Sequence, residues 1–199
     1  MKKLQNPVSI YLILLLFVVE FNFAQNANYK INDTIDGAKV ITCIGRGKEF
    51  TYIGTNHGII KIQNKNGKKK HFPTTVSANP NTTINSICVR KNGHVWFGTE
   101  QGIIVYDGFY MYTINMENSD LTDNRITSIV EDNNETVWIG TSNHGLLKKQ
   151  NNHFKMFTYF NSNLPCNNIK EIVAENNGGL LVITNSQKNI PLEAIKSNR

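Results

Sequence analysis

The sequence predicts an all-β protein built from repeated four-stranded units, and three observations lead to this prediction. The first is a nine- or ten-residue motif of an aromatic residue, a second hydrophobic residue, Gly-Thr, a short polar loop, Gly and two aliphatic residues, which begins at Tyr52, Trp96 and Trp138. The second is an Ile-x-x-Ile element upstream of it, which begins at Ile41, Ile84, Ile126 and Ile169. The third is the content of 29 Asn in 199 residues, because Asn favours tight turns.

The spacing of these elements predicts the architecture. Both recur every 42–44 residues, and in the third unit Asp, Asn and Gly turns separate four short stretches with strand character. These stretches are residues 126–131, 137–141, 145–149 and 154–158. A period of this length with four strands is the size of a β-propeller blade, whereas a helical repeat would need apolar spacings of three and four.

The predicted domain organisation is therefore a series of about four β-propeller blades. We expect them at residues 38–80, 81–122, 123–165 and 166–199. The fourth unit is degenerate, because the stretch from Leu181 to Thr184 keeps the Thr and lacks the aromatic residue and the Gly. The propeller is predicted to be incomplete.

The N-terminus carries the pattern of a secretory signal peptide. Lys2 and Lys3 precede an uncharged apolar run, Val8 to Val19, which is too short to span a bilayer. We expect residues 1–24 to be removed after Ala24, and residues 25–37 to form a strand or linker. The chain is then periplasmic or secreted, with no membrane span of its own.

Composition and motifs argue against several function classes. The three Cys do not fit a disulfide framework and none has metal-ligand spacing, so we interpret them as small apolar residues in or near strands. No catalytic motif, metal site or cofactor is predicted, and the chain is expected not to be an enzyme. The formal charge of +6 would suit nucleic acid, but export makes that partner an unlikely fit.

The repeat resembles a known family. The Ile-x-Ser-Ile element followed by Val-Trp-Ile-Gly-Thr-x-x-Gly-Leu is similar to the two-component regulator propeller repeat, and the resemblance covers about residues 38–187. In that family such repeats form the periplasmic sensor region of hybrid histidine kinases, often ones that control carbohydrate use. The resemblance implies a ligand-sensing function, while the chain contains no kinase, receiver or membrane helix. Relatives carry more blades.

Most residues of the motif are interpreted as structural. We predict that Tyr52, Trp96 and Trp138 pack between neighbouring blades. Gly54, Gly98 and Gly140 are expected at close backbone approaches or bulges. The three later glycines are expected to have positive φ at the end of a tight loop, and these are Gly58, Gly102 and Gly145.

Candidate ligand-binding residues lie where the loops between second and third strands meet the linkers between blades. These two kinds of segment are expected at the same end of a propeller, and their amide, hydroxyl and charged groups suit sugar hydroxyls. The candidates are Asn56, His57, Glu100, Gln101, Asn124, Arg125, Asn143, His144 and Asn167. For any single Asn, plain turn chemistry is the competing interpretation.

Two functions remain open from the sequence. The first is a non-enzymatic periplasmic sensor segment that recognises a small extracellular ligand such as an oligosaccharide. The alternative is an exported protein–protein interaction or structural module. Ring closure is open too: the stretch Asn28 to Ile31 could complete the last blade, but we favour an open arc whose free edges pair with further blades or another copy.

Overall fold

The computed structural model of the chain describes residues 31–35, 39–72, 82–175, 179–186 and 189–196, with backbone alone for residues 31–35 and 39. The predicted signal peptide, residues 1–24, lies outside the described residues. Strands dominate, and the one helical segment described is a short 3-10 turn, Leu192–Ala194. The predicted all-β fold of propeller blades is confirmed.

Four antiparallel sheets follow one another along the chain. Blade 1 contains β1 (Ile31–Ile35), β2 (Lys39–Arg46), β3 (Phe50–Thr55), β4 (Gly58–Gln63) and β5 (Lys69–Phe72). Blade 2 contains β6 (Ile84–Val89), β7 (Val95–Thr99), β8 (Gly102–Tyr106) and β9 (Met111–Ile114). Blade 3 contains β10 (Ile126–Glu131), β11 (Val137–Thr141), β12 (Leu146–Gln150) and β13 (His153–Phe157). Blade 4 contains β14 (Ile169–Ala174), β15 (Leu180–Thr184) and β16 (Ile190–Pro191).

Aromatic residues of the repeat fill the space between blades. Tyr52 is buried among residues of blade 2, including Phe97, whose ring centroid lies 5.9 Å away. Trp96 is buried among residues of blade 3 in the same way. Trp138 packs with blade 3 and blade 4 residues and donates its Nε1–H to Asp132 Oδ2 at 2.9 Å. The predicted packing role of these aromatic residues is confirmed.

The first glycine of each motif allows the next blade to approach. A Cβ on Gly54, Gly98 or Gly140 would lie 2.8, 2.7 or 2.6 Å from Cγ2 of the first Ile of the following blade. Those isoleucines are Ile84, Ile126 and Ile169. The predicted close approach is confirmed, and it explains why Gly and Ile recur together with one period.

The Ser of the Ile-x-Ser-Ile element ties one blade to the next. Ser86 Oγ accepts a hydrogen bond from Ile129 N–H at 2.9 Å, and Ser128 Oγ accepts one from Ile172 N–H at 3.1 Å. Both serines are buried. Each hydroxyl therefore provides an acceptor for a buried backbone N–H of the neighbouring inner strand.

We expect Ser128→Ala to lower the free energy of unfolding by about 1–3 kcal/mol, because it leaves the buried Ile172 N–H without an acceptor. Ser128→Cys is the matched control, since Cys43 occupies the equivalent position of blade 1. This variant should lose less stability than Ser128→Ala. Urea denaturation of both variants measures this. Equal stability of Ser128→Ala and the unmodified chain would show that the inter-blade bond contributes nothing.

Blade 4 lacks both the Ser and the Gly by which blades 2 and 3 contact the blade that follows them. Its register pairs Glu171 with Ile183, where the equivalent pairs are Ser86 with Gly98 and Ser128 with Gly140. Inner strands pack in the series β2, β6, β10, β14, and in the described part of the chain no comparable packing joins β14 to β2. The four blades thus form a series with two ends.

The N-terminal strand lies at the other end of this series. β1 pairs antiparallel with β2, so it extends blade 1 at its inner edge. The alternative in which an N-terminal strand completes the last blade is therefore wrong for Ile31 and the residues after it, while Asn28 lies outside the described residues. The register between β1 and β2 is broken between Ile31 and Thr34.

Candidate functional site

Loops and linkers meet at one end of the blades, as predicted, and we call this the linker end. Gly102 N–H donates to Asn124 O at 2.7 Å, and Gly145 N–H donates to Asn167 O at 2.8 Å. Each of these bonds joins the loop between the second and third strands of one blade to the linker that follows that blade. Gly102 and Gly145 have φ values of +112° and +81°, so the predicted positive φ is confirmed, as it is for Gly58 at +106°.

Three of the candidate amides act as backbone caps. Asn56 Oδ1 accepts from Val40 N–H at 2.9 Å. Asn124 Oδ1 accepts from Met116 N–H, and Asn167 Oδ1 accepts from Tyr159 N–H, at 2.9 and 2.7 Å. The amide oxygens of these candidates are thus used by the fold, which leaves their NH₂ groups as the donors that a ligand could meet.

A buried carboxylate organises the linker end of blade 3. Asp123 Oδ1 accepts from Arg125 N–H at 3.0 Å, and Asp123 Oδ2 accepts from Asn143 N–H at 3.1 Å. His144 Nδ1 lies 3.2 Å from Asp123 Oδ2, and Arg125 Nε lies 3.5 Å from Oδ1. Three candidates, Arg125, Asn143 and His144, therefore come together around a residue that the sequence analysis did not single out.

The environment of Asp123 favours its charged form. Burial by itself raises the pKa of this carboxyl, but the hydrogen bonds from Arg125 N–H, His144 and Asn143 N–H outweigh burial, so the pKa lies below its ordinary value. A lowered pKa means that the carboxylate stabilises the fold above its unfolded pKa, and that this stabilisation is lost as the pH falls through the folded pKa.

We expect Asp123→Asn to be less stable than the unmodified chain by about 1 kcal/mol at neutral pH, because it weakens charge-assisted hydrogen bonds. The difference should vanish in acid, where the carboxyl of the unmodified chain is protonated. Urea midpoints measured across the acid range test this. Glu117→Gln, which removes an exposed carboxylate from the same end, is the control, and an equal loss in both variants would contradict the assigned role of Asp123.

The remaining candidates lie in the same kind of loop in blades 1 and 2. Glu100 Oε1 accepts from Asn85 Nδ2 at 2.8 Å. The backbone N–H groups of His57 and Gln101 bind the Thr at the end of the preceding strand, and the imidazole of His57 is exposed. Each candidate thus lies at the linker end, but the nine are spread over loops of blades 1, 2 and 3 and the linkers that lead to blades 3 and 4, and three of them gather around Asp123.

Cys166 occupies the position of Asp123 in the next linker. Burial raises the pKa of its thiol, but hydrogen bonds from Asn168, Thr184, Ser186 and Asn185 outweigh burial, and the net direction is down. The other two thiols behave differently, since burial raises the pKa of Cys43 and of Cys88 to about 12. All three cysteines are free. The apolar role predicted for all three is confirmed for Cys43 and Cys88, which are buried, but it is wrong for Cys166, which is partly exposed and hydrogen-bonded in a linker.

Exposed aromatic residues were missed by the sequence analysis. Tyr159 and Phe160 follow β13 at the linker end with exposed fractions of 58% and 82%, and their ring centroids lie 5.4 Å apart. Met116 stands at the equivalent position of blade 2. The signal available in the sequence was an aromatic pair just after a strand, where the other units have no such pair.

Within the described ranges, no group of three or more His, Cys, Asp or Glu side chains is placed to hold a metal ion. No helix of the described residues is long and apolar enough to cross a bilayer.

The strand order and the meeting of loops at one end define a β-propeller repeat array. The family model described as the two-component regulator propeller matches residues 79–101 and 120–143. These two stretches therefore match the two-component regulator propeller repeat, and for them the resemblance inferred from the sequence is confirmed. A comparison with curated protein sequences found no match.

Solved structures share this fold. The extracellular domain assigned to a hybrid two component system of B. thetaiotaomicron is 20% identical with a TM-score of 0.66, over 80% of this chain and 23% of that chain. A streptogramin B lyase is 15% identical with a TM-score of 0.58, over 88% and 72%. Virginiamycin B lyase from Staphylococcus aureus is 17% identical with a TM-score of 0.54, over 84% and 58%. The chain thus spans about a quarter of the length of the two-component domain.

Proposed function

We propose that this chain is an exported, non-enzymatic sensor segment of the two-component type that recognises an extracellular carbohydrate at its linker end. The family of its repeats supports a sensor. The observation that supports carbohydrate recognition is the exposed pair of Tyr159 and Phe160 beside the amide-rich linker that contains Asn167. Aromatic faces stack on the apolar faces of sugar rings, while amides donate to and accept from hydroxyl groups.

The absence of catalysis is part of the proposal. Asp123, the buried carboxylate at the linker end, accepts hydrogen bonds from its own loops through both oxygens, which leaves it little capacity to act as a general acid or base. Two of the structural neighbours are lyases, so the proposal needs a direct assay. The saccharide that binds should be recovered unchanged after incubation with the chain, and cleavage products would contradict a purely sensing role.

The binding test is a thermal-shift screen of saccharides with the chain that begins at Gln25. A saccharide that raises the melting temperature should lose this effect in the double variant Tyr159→Ala/Phe160→Ala. The matched control is Phe109→Ala/Tyr110→Ala, which removes two aromatic residues that are 90% and 75% exposed on the β8–β9 hairpin. Equal responses of the two double variants would overturn the linker-end assignment.

Export is tested separately. N-terminal sequencing of the protein from a cell-envelope or medium fraction should find a start at or near Gln25. An intact Met1 in that fraction would contradict the predicted signal peptide.

The alternative is an exported protein–protein interaction module, and the aromatic hairpin of blade 2 favours it. Phe109, Tyr110 and Tyr112 are all exposed, with Tyr112 at 46%. Exposed aromatic residues are enriched at protein interfaces. The alternative predicts that no saccharide shifts the melting temperature and that Phe109→Ala/Tyr110→Ala abolishes self-association, as measured by light scattering.

A further inference from the structure

A cleft of about 330 Å³ opens at the end of the blades opposite the linker end. Three segments line it, residues 45–48, 87–91 and 131–133. They lie where the inner strands of blades 1, 2 and 3 finish, so three blades contribute to one concave surface. No candidate residue from the sequence analysis lies in this cleft.

Two glycines allow blades 1 and 2 to approach closely at the cleft. A Cβ on Gly45 would lie 2.3 Å from Cγ2 of Ile87, and one on Gly47 would lie 3.1 Å from Cγ1 of Val89. Blade 1 and blade 2 therefore approach each other closely here. The side chains that blade 1 contributes to the cleft lining are those of Arg46 and Lys48.

The two acidic side chains in the cleft form hydrogen bonds or ion pairs with other groups of the protein. Glu131 forms an ion pair with Arg90 at 2.8 Å and accepts a hydrogen bond from Lys91 N–H at 2.7 Å. The side chains of the pair are only 15% and 6% exposed, so they neutralise each other in the interior. Asp132 accepts hydrogen bonds from Trp138 Nε1 and from the N–H groups of its own turn.

The lining of the cleft has more cationic than acidic side chains. The lining contains four cationic side chains and two acidic ones, and among the described residues Arg90 alone of the four forms an ion pair with an acid. Lys91 Nζ donates to a backbone carbonyl, Asn133 O, at 3.0 Å rather than to a carboxylate. Arg46 and Lys48 are exposed, and neither makes a side-chain hydrogen bond or ion pair with the described residues. The mouth of the cleft is therefore electropositive.

We propose that this cleft binds an anionic group, a carboxylate or sulfate, of a small extracellular solute, through Arg46, Lys48 and Lys91. A guanidinium offers paired N–H donors that match the oxygens of such a group, and ammonium groups add charge-assisted bonds. The concave, partly enclosed geometry strengthens these interactions relative to open solvent. The site is separate from the linker end, so a test of anion binding in the cleft does not depend on whether the linker end binds a carbohydrate.

Calorimetric titration of the chain that begins at Gln25 tests this site, with glucuronate, inorganic sulfate and glucose as probes. We expect glucuronate or sulfate to bind and glucose not to bind. The double variant Arg46→Gln/Lys48→Gln should weaken anion binding about tenfold. Tighter binding of glucuronate than of sulfate assigns the site to an acidic saccharide, and the reverse order assigns it to a free anion.

The matched control is Lys65→Gln/Lys68→Gln, which removes the same charge from the exposed β4–β5 turn. It should bind the anion as the unmodified chain does. Melting temperatures of both double variants, whose altered side chains are exposed, establish that they fold. The proposal is overturned if neither anion binds, if glucose binds as tightly as glucuronate, or if the two double variants weaken binding equally.

Discussion

We expect Trp138→Ala to lower the free energy of unfolding by about 3–5 kcal/mol, because the substitution empties a large buried volume between blades 3 and 4. Trp138 is 8% exposed, its ring centroid lies 5.9 Å from that of Phe157, and Lys148 Nζ lies 5.2 Å from its ring. The change also removes the donor to Asp132. A loss of this size is a large part of the stability of a typical domain. Chemical denaturation measures it.

Two controls separate packing from other causes. Trp138→Phe keeps a ring between the blades and should lose less than Trp138→Ala. Phe109→Ala removes an aromatic residue that is 90% exposed and should change stability by about 0.5 kcal/mol or less. If Trp138→Ala melts like the unmodified chain and instead abolishes ligand binding, the Trp belongs to a binding site rather than to the core.

The second large effect is expected for Gly145→Ala. Gly145 has φ +81°, and a Cβ at this position would lie 2.2 Å from the carbonyl oxygen of Phe157. The clash is with backbone, which cannot move aside as the end of a flexible side chain can. The β11–β12 loop must therefore shift, and the hydrogen bond from Gly145 N–H to Asn167 O must weaken. The strain of the left-handed backbone conformation and the steric clash together should lower the free energy of unfolding by about 3–5 kcal/mol.

Gly93→Ala is the matched control for the backbone strain. Gly93 has φ +87°, close to that of Gly145, but nothing lies within 4 Å of a Cβ built on it. We therefore expect Gly93→Ala to lower the free energy of unfolding by about 1–2 kcal/mol, from the strain of the left-handed conformation alone. Urea denaturation of the two variants measures the difference, and equal losses would show that the close approach to Phe157 is unimportant.

The predicted fold follows from local rules that act within one repeat or between adjacent ones. Strand length, turn residues and period are properties of short stretches, and a blade can bury its faces only against its neighbours. For this reason Gly98 and Trp138 could be assigned structural roles from the repeat alone. The degenerate fourth unit was also predicted from the sequence, and the structure shows that the partly exposed Ile183 takes the register position at which the other blades have the Gly that lets the next blade approach.

The candidate site could be predicted only in part. The sequence placed the loops and linkers at one end, and there the structure has them. It could not tell that the side-chain oxygens of Asn124 and Asn167 would cap backbone donors, because such bonds depend on the path of the linker between Met116 or Tyr159 and the next blade. Asp123 was missed for the same reason: burial and its partners in the β11–β12 loop give it its role.

The sequence by itself determined the repeat, the four-stranded unit, the residues that pack between blades and the glycines with positive φ. These are periodic, short-range properties, and periodicity makes them readable without coordinates. The tertiary structure alone decided that β1 joins blade 1, that Asp123 gathers three candidates, and that Arg46, Lys91 and Glu131 share one cleft. The cleft joins residues about one repeat apart, whereas Asp123 joins its own linker to a loop 20 positions later. The path of the chain and the packing of the blades, rather than any local pattern, bring these residues together.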